Sequence, residues 1–565
     1  MTMREDAAEA GANLAVRIDA RLRAAPGRDA LTWLERGERL GIVLTAGDLR
    51  SRAVALARRL QAEVAPGAQA LLVMSPGPEF TVALLACLYA GVVAVPLPMP
   101  RPGAAGERLD AVVADASPQA VITTVADADA LRALLPGLRL VAIAPPKRDD
   151  DLPATDPAST DGLPGLALAP DATVVVQYTS GSTRSPRGVT VSGANIAANG
   201  WRVADDWQVL ATDSVLTWLP HYHDMGLMGS LLYPLLWGIP VVQMSPLAFV
   251  QKPVRWLKAL QAWGATLSGG PAFAFALCLD TIAPEARAGF DLRGWRRAYC
   301  GAEPVPAALM QRFRDSFAVA GFDGDILFST YGLAEATLFV AGRNRPPGAA
   351  AVSGDAAAPS GTEPCHLSAA SMAAIRIVDP DSLQPVGEGA SGEIWVSGAS
   401  NSAGYLTQGQ DDVFGLRLPG EPAAYMRTGD LGRLQGAVLH ITGRRKDILI
   451  AHGANVAAAD LEWLAAGQDD TLNPHAAAAF DLQRDGTGKV ALLIEMRNGR
   501  EAINDPVGLE KKIRAAVRSS FSLEINLLCF VKRGSLDRTS SGKIRRQTVA
   551  ERVRAGYRYP SATME

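Results

Sequence analysis

The chain has 565 residues, of which 48% are hydrophobic and 20% are charged. This length and composition predict a globular protein with two or three domains and more than one hydrophobic core. The formal net charge of −3 is close to neutral, so we expect no nucleic-acid partner held by a broad basic face.

Five cysteines lie far apart in the sequence, without a Cys-x-x-Cys pair. This spacing favours a reducing compartment, and we expect a cytoplasmic protein. The first residues carry acidic side chains and lack the apolar segment of a secretory signal. The longest uncharged run, residues 80–100, is interrupted by Gly91 and three prolines. We therefore predict a buried helix followed by a strand here, with no stable insertion into a membrane.

Helical and strand patterns alternate along the first quarter of the chain. After an amphipathic helix and a first strand, apolar stretches predict further strands at 71–75, 92–97, 120–124 and 140–144. Helical patterns separate these strands, and such alternation predicts a parallel sheet with helices on both faces. The following polar tract is rich in proline and aspartate, which predicts an exposed linker.

Residues 174–188, VVVQYTSGSTRSPRG, begin as a strand and break into a polar loop. Three valines favour the strand, whereas the Ser-Gly-Ser triplet ends it and leaves backbone N–H groups free. These groups, the hydroxyls and the charges of Arg184 and Arg187 predict a phosphate-binding loop. An ordinary polar turn is the alternative. The loop is not a Walker A sequence, because six residues separate Gly181 from Gly188 and no Lys-Ser/Thr follows.

A second polar cluster, HYHD, contains His221, His223 and Asp224. These side chains are of the types that bind metals, but no third cluster of suitable spacing accompanies them. We therefore predict no metal site here. The apolar stretch that follows predicts a helix and a strand, whose residues mainly pack in the core.

Tyr331 and Glu335 are four residues apart, so we expect them to share one face of a helical turn. An aromatic ring offers an apolar surface on which adenine can stack. A carboxylate offers the oxygen ligand that Mg²⁺ prefers when the ion bridges phosphates. The alternative is a helix N-terminus with a solvated glutamate.

Alternating patterns between residues 374 and 398 predict two strands of a smaller β subdomain. Beyond them, TGDLG places Asp430 in a predicted turn, where its carboxylate could accept hydrogen bonds from both ribose hydroxyls. Arg444 could donate to the same sugar. An exposed turn aspartate is the alternative.

The last 120 residues alternate strand and helix patterns and end with RTSSGKIRRQ, which contains Lys543. Basic residues outnumber acidic ones in this part of the chain, in contrast to the rest. A basic solvated tail is one interpretation of the arginines from Arg538 to Arg558, and such a face could attract an acidic protein partner.

Taken in order, these stretches resemble the adenylate-forming superfamily of acyl-CoA synthetases, adenylation domains and luciferases. The sequence YTSGSTRSPRG is similar to the phosphate loop of its fatty acyl-AMP ligase branch. The resemblance implies an α/β fold, with a large N-terminal domain of helix-flanked sheets and a β subdomain at residues 1–444. It also implies a small mobile α+β C-terminal domain at residues 445–565, with the hinge at Lys446.

The resemblance further implies ATP and Mg²⁺ as cofactors. Lys543, Glu335 and His221 would be catalytic, with the His221 ring beside the reacting carboxylate, and Glu335 and Thr179 would hold the metal. The residues implied in nucleotide binding are Thr179, Ser180, Gly181, Ser182, Thr183, Arg187, Gly301, Ala302, Glu303, Tyr331, Gly332, Asp430 and Arg444.

By the same resemblance, a fatty acid and ATP would give acyl-AMP and pyrophosphate, and the acyl group would pass to the phosphopantetheine thiol of an acyl carrier protein. A fatty acyl-CoA synthetase is one alternative; it is disfavoured by Arg184, where CoA ligases resemble Thr-Gly, and by the glycine-rich tract at 342–361. A catalytically impaired scaffold for carrier proteins is the other. The absence of the family's Arg-His-Pro run after the hinge favours it, and the retained Lys543, Asp430 and Glu335 disfavour it.

Overall fold

The structure is a computed structural model of the chain. It describes residues 3, 5, 11–100, 106–146, 159–178, 186–345, 361–407, 412–451, 454–483, 489–497, 503, 505–539 and 542–561. The predicted phosphate-loop residues Thr179, Ser180, Gly181, Ser182, Thr183 and Arg184 lie outside these ranges. Among the helices of the described ranges, none is long and apolar enough to span a membrane.

Helix and strand alternate in the first part of the chain, as the sequence predicts. The elements are α1 (Leu14–Ala24), β1 (Asp29–Glu35), β2 (Arg39–Thr45), α2 (Ala46–Gln61), β3 (Gln69–Val73), α3 (Pro78–Ala90), β4 (Val93–Leu97), α4 (Gly106–Ala116), β5 (Ala120–Thr124), α5 (Ala128–Leu134) and β6 (Arg139–Ile143). The predicted buried helix is α3, which begins with Pro78 and ends at Gly91 in the left-handed conformation.

The second part of the chain contains the strand that precedes the phosphate loop and the predicted apolar helix. Its elements are β7 (Thr173–Tyr178), β8 (Gly188–Ser192), α6 (Gly193–Asp206), β9 (Val215–Thr217), a π-helix (Met225–Leu232), α7 (Tyr233–Trp237), β10 (Val241–Met244), α8 (Pro246–Gln251), α9 (Val254–Trp263), β11 (Leu267–Gly270), α10 (Ala272–Thr281), α11 (Pro284–Arg287), β12 (Arg297–Cys300), α12 (Ala307–Phe317) and β13 (Leu327–Ser329).

These elements form two helix-flanked sheets. In the described ranges one sheet has the order β6-β5-β3-β4-β7-β8 and the other has the order β13-β12-β11-β9-β10-β1-β2. Neighbouring strands run parallel except at β7–β8 and β1–β2. The prediction of parallel sheets with helices on both faces is therefore confirmed. Segments after the carboxyl ends of parallel strands are where ligands bind in such folds.

The third part of the chain is mostly antiparallel. Its elements are β14 (Tyr331–Gly332), β15 (Phe339–Ala341), β16 (Cys365–His366), α13 (Ala369–Ala374), β17 (Ile375–Val378), β18 (Gly392–Ser397), β19 (Leu416–Arg417), β20 (Ala424–Gln435) and β21 (Val438–Arg444). Strands β16-β21-β20-β18-β17 form a sheet in this order, and β19 pairs with β20. This sheet is the predicted β subdomain.

The last part of the chain has its own sheets and its own cluster of buried apolar side chains. Its elements are β22 (Ile448–Ala451), β23 (Ala454–Ala457), α14 (Ala458–Ala466), β24 (Leu472–Asp481), β25 (Val490–Met496), α15 (Pro506–Phe521), β26 (Ile525–Val531) and α16 (Arg546–Arg554). Strands β24-β25-β26 form a mixed sheet. The elements agree with the pattern predicted for an α+β unit.

Two local predictions are wrong. Tyr331 lies in β14 and Glu335 in a short 3₁₀ turn (Ala334–Ala336), so they do not share a helical face. The chain turns back as a hairpin here, because Gly332 packs so closely on Leu338 that a Cβ atom would lie 1.7 Å from its carbonyl oxygen. Asp430 lies inside β20, not in a turn, because β20 continues through it to pair with β21.

Gly165 provides a test of the packing between the linker and α3. A Cβ atom at this position would lie 1.7 Å from the Leu88 carbonyl oxygen, so the backbone would have to shift. We expect Gly165→Ala to destabilise the protein by about 1–3 kcal/mol, the usual cost of overpacking. Gly137→Ala is the matched control, because nothing lies within 4 Å of its added Cβ atom. Equal urea unfolding midpoints for the two variants would contradict this packing.

Candidate active site

A cavity of about 1900 Å³ lies where the carboxyl ends of the parallel strands meet the β subdomain and the last part of the chain. It receives residues that follow β7, β9, β11, β12 and β13. The predicted site residues that line it are Arg187, Ala302, Glu303, Tyr331, Gly332, Glu335, Asp430, Arg444, Lys446 and Lys543. The fold therefore brings together positions that are far apart in the sequence.

Asp430 is held from both sides by hydrogen bonds to its carboxylate. The Tyr331 hydroxyl donates to Oδ2 at 2.7 Å, and Nε of Arg444 lies 2.9 Å from Oδ1. The β20–β21 register places Asp430 directly opposite Arg444. Because a carboxylate has about four acceptor positions, Asp430 can accept further hydrogen bonds from a ligand in the cavity.

Glu393 fixes the backbone just before Asp430. Its buried carboxylate accepts hydrogen bonds from the Gly429 N–H at 3.1 Å and from Nε of Arg427 at 2.9 Å. Gly429 has a φ of 71°, a left-handed conformation that favours glycine. The TGDLG sequence therefore provides both the conformational freedom and the ligand-facing carboxylate, and the buried Glu393 holds them in register.

Glu335 and Arg187 both contact Tyr405. The Tyr405 hydroxyl donates to Oε1 of Glu335 at 3.1 Å, and the Arg187 guanidinium lies 5.2 Å from the Tyr405 ring centroid. Burial raises the pKa of Glu335, so a cation placed beside this carboxylate would offset an existing cost. Gly301 does not line the cavity; it packs on the neighbouring strand end, where a Cβ atom would lie 2.3 Å from the Thr330 hydroxyl oxygen.

Lys543 reaches the cavity on a loop that is anchored at several points. The Thr539 N–H donates to the Lys543 carbonyl at 2.7 Å, and the Thr539 hydroxyl accepts from the Lys543 N–H at 3.1 Å. Arg538 forms an ion pair with the buried Glu495 at 2.8 Å. The loop is therefore attached to the sheet of the last part of the chain before it presents the lysine.

The Lys543 side chain faces carboxylates of the large N-terminal part. Burial lowers its pKa from the ordinary lysine value, and the negative charges of Asp224 and Glu303 partly offset that effect. Asp224 in turn accepts a hydrogen bond from Nδ1 of His223 at 2.6 Å. Burial alone would raise the pKa of Asp224, but the charges of His223 and Lys543 and this hydrogen bond bring it below its usual value.

The predicted catalytic residue His221 does not line the cavity. Its ring is only 6% exposed and stacks on Phe80, with ring centroids 3.9 Å apart. Burial lowers the pKa of His221 to about 3, so the ring is neutral. Tyr222, His223 and Asp224 line the cavity instead. The sequence could not distinguish the two histidines, because the HYHD segment is an irregular turn without a side-chain period.

The predicted hinge residue Lys446 is exposed and lies in a 3₁₀ turn (Arg445–Asp447). The Arg546 guanidinium connects this turn to its surroundings. Nη1 of Arg546 lies 2.7 Å from the Asp447 carboxylate, and the same guanidinium binds both oxygens of Glu462 at 2.8 and 2.9 Å. Farther away, Arg497 pairs with Asp280 of α10 at 3.3 Å.

Metal-binding capacity in the cavity is limited. No group of three or more His, Cys, Asp or Glu side chains suited to a metal ion occurs in the part of the chain that the structure describes. Glu335 is a single carboxylate, and Thr179 lies outside the described residues. A site of this kind fits Mg²⁺ only when phosphate and water oxygens complete the coordination.

The comparisons with known proteins agree with this geometry. A family model described as AMP-binding enzyme matches residues 18–406, more than half of the chain. The chain belongs to the AMP-binding enzyme family. The predicted membership of the adenylate-forming superfamily, the α/β fold with large N-terminal and small C-terminal domains, and the expectation of an enzyme are thereby confirmed.

Relatives of this AMP-binding enzyme cover nearly its whole length. It is 33% identical over 550 residues to the medium-chain-fatty-acid–[acyl-carrier-protein] ligase JamA of Moorena producens, with 92% of this chain and 91% of JamA covered. It is 32% identical over 574 residues to the long-chain-fatty-acid–AMP ligase FadD28 of Mycobacterium bovis, with 96% and 97% covered.

A solved structure from studies of the fatty acyl-adenylate ligases of E. coli and L. pneumophila superimposes with a TM-score of 0.79 at 27% identity. It covers 97% of this chain and 98% of that one. The predicted resemblance to fatty acyl-AMP ligases is therefore confirmed.

The Lys543 environment predicts a pH-dependent reactivity. Because its pKa lies below the ordinary value of 10.5, Lys543 should become unprotonated and reactive at a lower pH than a free lysine. Asp224→Asn removes a carboxylate that raises this pKa, so the midpoint should move to a still lower pH. Competitive acetylation across a pH series, followed by mass spectrometry of the Lys543 peptide, measures both midpoints. A midpoint at equal or higher pH in Asp224→Asn would contradict the assigned environment.

Proposed function

We propose that the chain activates a fatty acid with ATP to give acyl-AMP and pyrophosphate, and then transfers the acyl group to the phosphopantetheine thiol of an acyl carrier protein. One observation carries the first step. Lys543, from the end of the chain, lies in the same cavity as the Tyr331–Asp430–Arg444 cluster. The Lys543 ammonium group and the Asp430 carboxylate, which can accept hydrogen bonds from hydroxyl groups, therefore line one cavity that is large enough for a nucleotide.

The adenylation step needs no nucleophile from the protein. A carboxylate is ionised at pH 7, and its oxygen attacks the α-phosphorus while the bond to the β-phosphate oxygen breaks and pyrophosphate leaves. The protein has to align the two reactants and stabilise the charge that develops. We assign charge stabilisation at the α-phosphate to Lys543. The sequence resemblance predicts the His221 ring beside the reacting carboxylate. We now propose this position for His223, which lines the cavity.

The nucleotide would lie between the strand ends and the β subdomain. We propose that Asp430 and Arg444 bind the ribose and that the adenine lies near Tyr331, Gly332 and the segment Gly301, Ala302 and Glu303. Arg187 and residues 179–183 would bind the β- and γ-phosphates. Glu335 would hold Mg²⁺ together with Thr179 and the phosphate oxygens, and the ion would neutralise charge on the phosphates.

We also propose a domain boundary after Arg444, with Lys446 as the hinge, so that residues 445–565 move as a unit. The turn at Arg445–Asp447 is short and follows the end of β21, and such segments absorb backbone rotations in hinged proteins. Movement about it would withdraw Lys543 from the cavity and separate Arg497 from Asp280. The second step would then have room for a phosphopantetheine arm.

The first step is tested by Lys543→Ala. We expect acyl-AMP formation to fall by at least about a hundredfold, or roughly 2.7 kcal/mol, which is the effect of removing one preorganised electrostatic donor. Lys532→Ala is the matched control, because Lys532 is exposed on the same part of the chain. Acyl-AMP, quantified by mass spectrometry from ATP and a fatty acid, should be unchanged in the control. Wild-type rates in Lys543→Ala would remove this residue from the site.

The acceptor surface differs from the one that the sequence suggests. Most arginines between Arg538 and Arg558 are bound within the chain: Arg538 to Glu495, Arg546 to Glu462, Arg552 to Asp537 and Arg554 to backbone carbonyls. Lys532 and Arg558 are exposed, and the backbone of Lys532 pairs with Pro560. We propose these two as the basic surface that attracts the acidic face of an acyl carrier protein, the partner printed in the JamA name.

The acceptor is identified by offering CoA or holo acyl carrier protein to enzyme supplied with ATP and fatty acid. We expect acyl-carrier protein to form faster than acyl-CoA and to slow between roughly 50 mM and 500 mM salt, because screening weakens the charge attraction. Arg558→Glu should reduce transfer but leave acyl-AMP formation unchanged. Faster acyl-CoA formation would establish the acyl-CoA synthetase alternative, and carrier-protein binding without acyl-AMP formation would establish the scaffold.

A further inference from the structure

Part of the cavity wall is lined by apolar residues, and this part is called the apolar branch. Two pairs of residues spaced four apart on helices contribute to its walls, Val203 with Trp207 at the end of α6, and Gly229 with Tyr233 across the π-helix and α7. Residues four apart share a helix face, so each pair faces the cavity together. Leu338, beside Gly229, and Phe339, beside Trp207, also line this branch.

Trp207 is fixed rigidly in the wall of this branch. Its ring stacks on Tyr299 with centroids 4.8 Å apart, and its edge contacts Phe328 and Phe339 at centroid distances of 5.5 and 6.0 Å. The indole Nε1–H donates to the Gly342 carbonyl oxygen at 2.9 Å. A ring held by both stacking and a hydrogen bond cannot turn aside at low cost, so it sets a fixed limit to the space.

Gly229 leaves room in its own part of the wall. It lies in the π-helix, a rare form that is frequent at functional sites. A Cβ atom at this position would meet only Cδ2 of Leu338, at 3.1 Å. That contact is with the far end of a flexible side chain, so a small residue at position 229 would be tolerated by the fold but would narrow the branch.

We propose that this branch takes the acyl chain of the substrate, that Trp207 closes its far end and that Gly229 keeps it wide enough for the chain. This inference rests on the proposed function and names its substrate class: monocarboxylic acids with an aliphatic chain up to a length set by Trp207. Acids with a second carboxylate at the far end are disfavoured, because none of the described side chains that line the cavity beside Trp207 is charged.

The test compares pyrophosphate release with straight-chain acids of increasing length in wild type, Trp207→Ala and Gly229→Ala. Trp207→Ala should move the optimum to acids longer by at least about two carbons, because each buried methylene contributes about fourfold to kcat/KM. Gly229→Ala should lower kcat/KM about tenfold for the longest acid that wild type accepts, and less than about threefold for short acids.

One control variant and one variant that tests an alternative position of the acyl chain complete the experiment. Trp263→Ala removes a partly exposed tryptophan that does not line the cavity, and the length profile should stay unchanged. Leu247→Ala removes an apolar side chain of α8 that is 62% exposed and lines the cavity. A chain-length profile that shifts in Leu247→Ala and not in Trp207→Ala would overturn the inference, because the acyl chain would then lie along α8 and not against Trp207.

The two proposals can fail separately. If wild type releases no pyrophosphate with any fatty acid, the proposed function fails. If wild type is active but Gly229→Ala has the wild-type length profile, the chain-length inference is overturned whatever happens to Trp207→Ala. Gly229→Ala therefore tests the chain-length inference even if Trp207→Ala does not fold. Thermal melts of both variants distinguish a loss of folding from a change in chain-length specificity.

Discussion

The active-site arrangement depends on the placement of one cation, Lys543, beside the carboxylates of Asp224 and Glu303. A half-buried ammonium group is costly unless nearby negative charge offsets the loss of solvation. The two carboxylates come from segments that follow β9 and β12, whereas the lysine comes from a loop near the end of the chain. Their attraction therefore favours an arrangement of the two parts in which Lys543 enters the cavity.

The same part of the chain is braced at a distance from the lysine. Arg546 connects the start of α16 to the turn at Arg445–Asp447 and to α14, and Arg497 connects the end of β25 to α10. The first contact lies within the last part of the chain, and the second crosses to the large N-terminal part. Only the Arg497–Asp280 ion pair has to break if the small part rotates. This ion pair is partly exposed, so its loss costs little free energy.

The cavity combines two chemistries that the substrates require at once. Its polar residues include Asp430, Glu335 and Lys543, which suit a nucleotide and its phosphates, and the Trp207 ring is held in the wall of its apolar branch. The reacting carboxylate and the α-phosphorus would meet where the two regions join. His223 and Asp224 line the cavity immediately before the π-helix that carries Gly229.

Local patterns were sufficient to predict the alternating fold, the β subdomain and most of the polar residues that line the cavity, because periodic burial and turn-forming residues act locally. Long-range contacts place Asp430 within a strand and keep Glu335 off a helix with Tyr331. They also bring His223, not His221, to the cavity wall. Hydrogen bonding between distant strands and close packing at Gly332 set these positions, and neither is encoded within a short window of residues. The ring contacts that hold Trp207 likewise form only where α6, β12 and β15 meet, so no single stretch of sequence could reveal them.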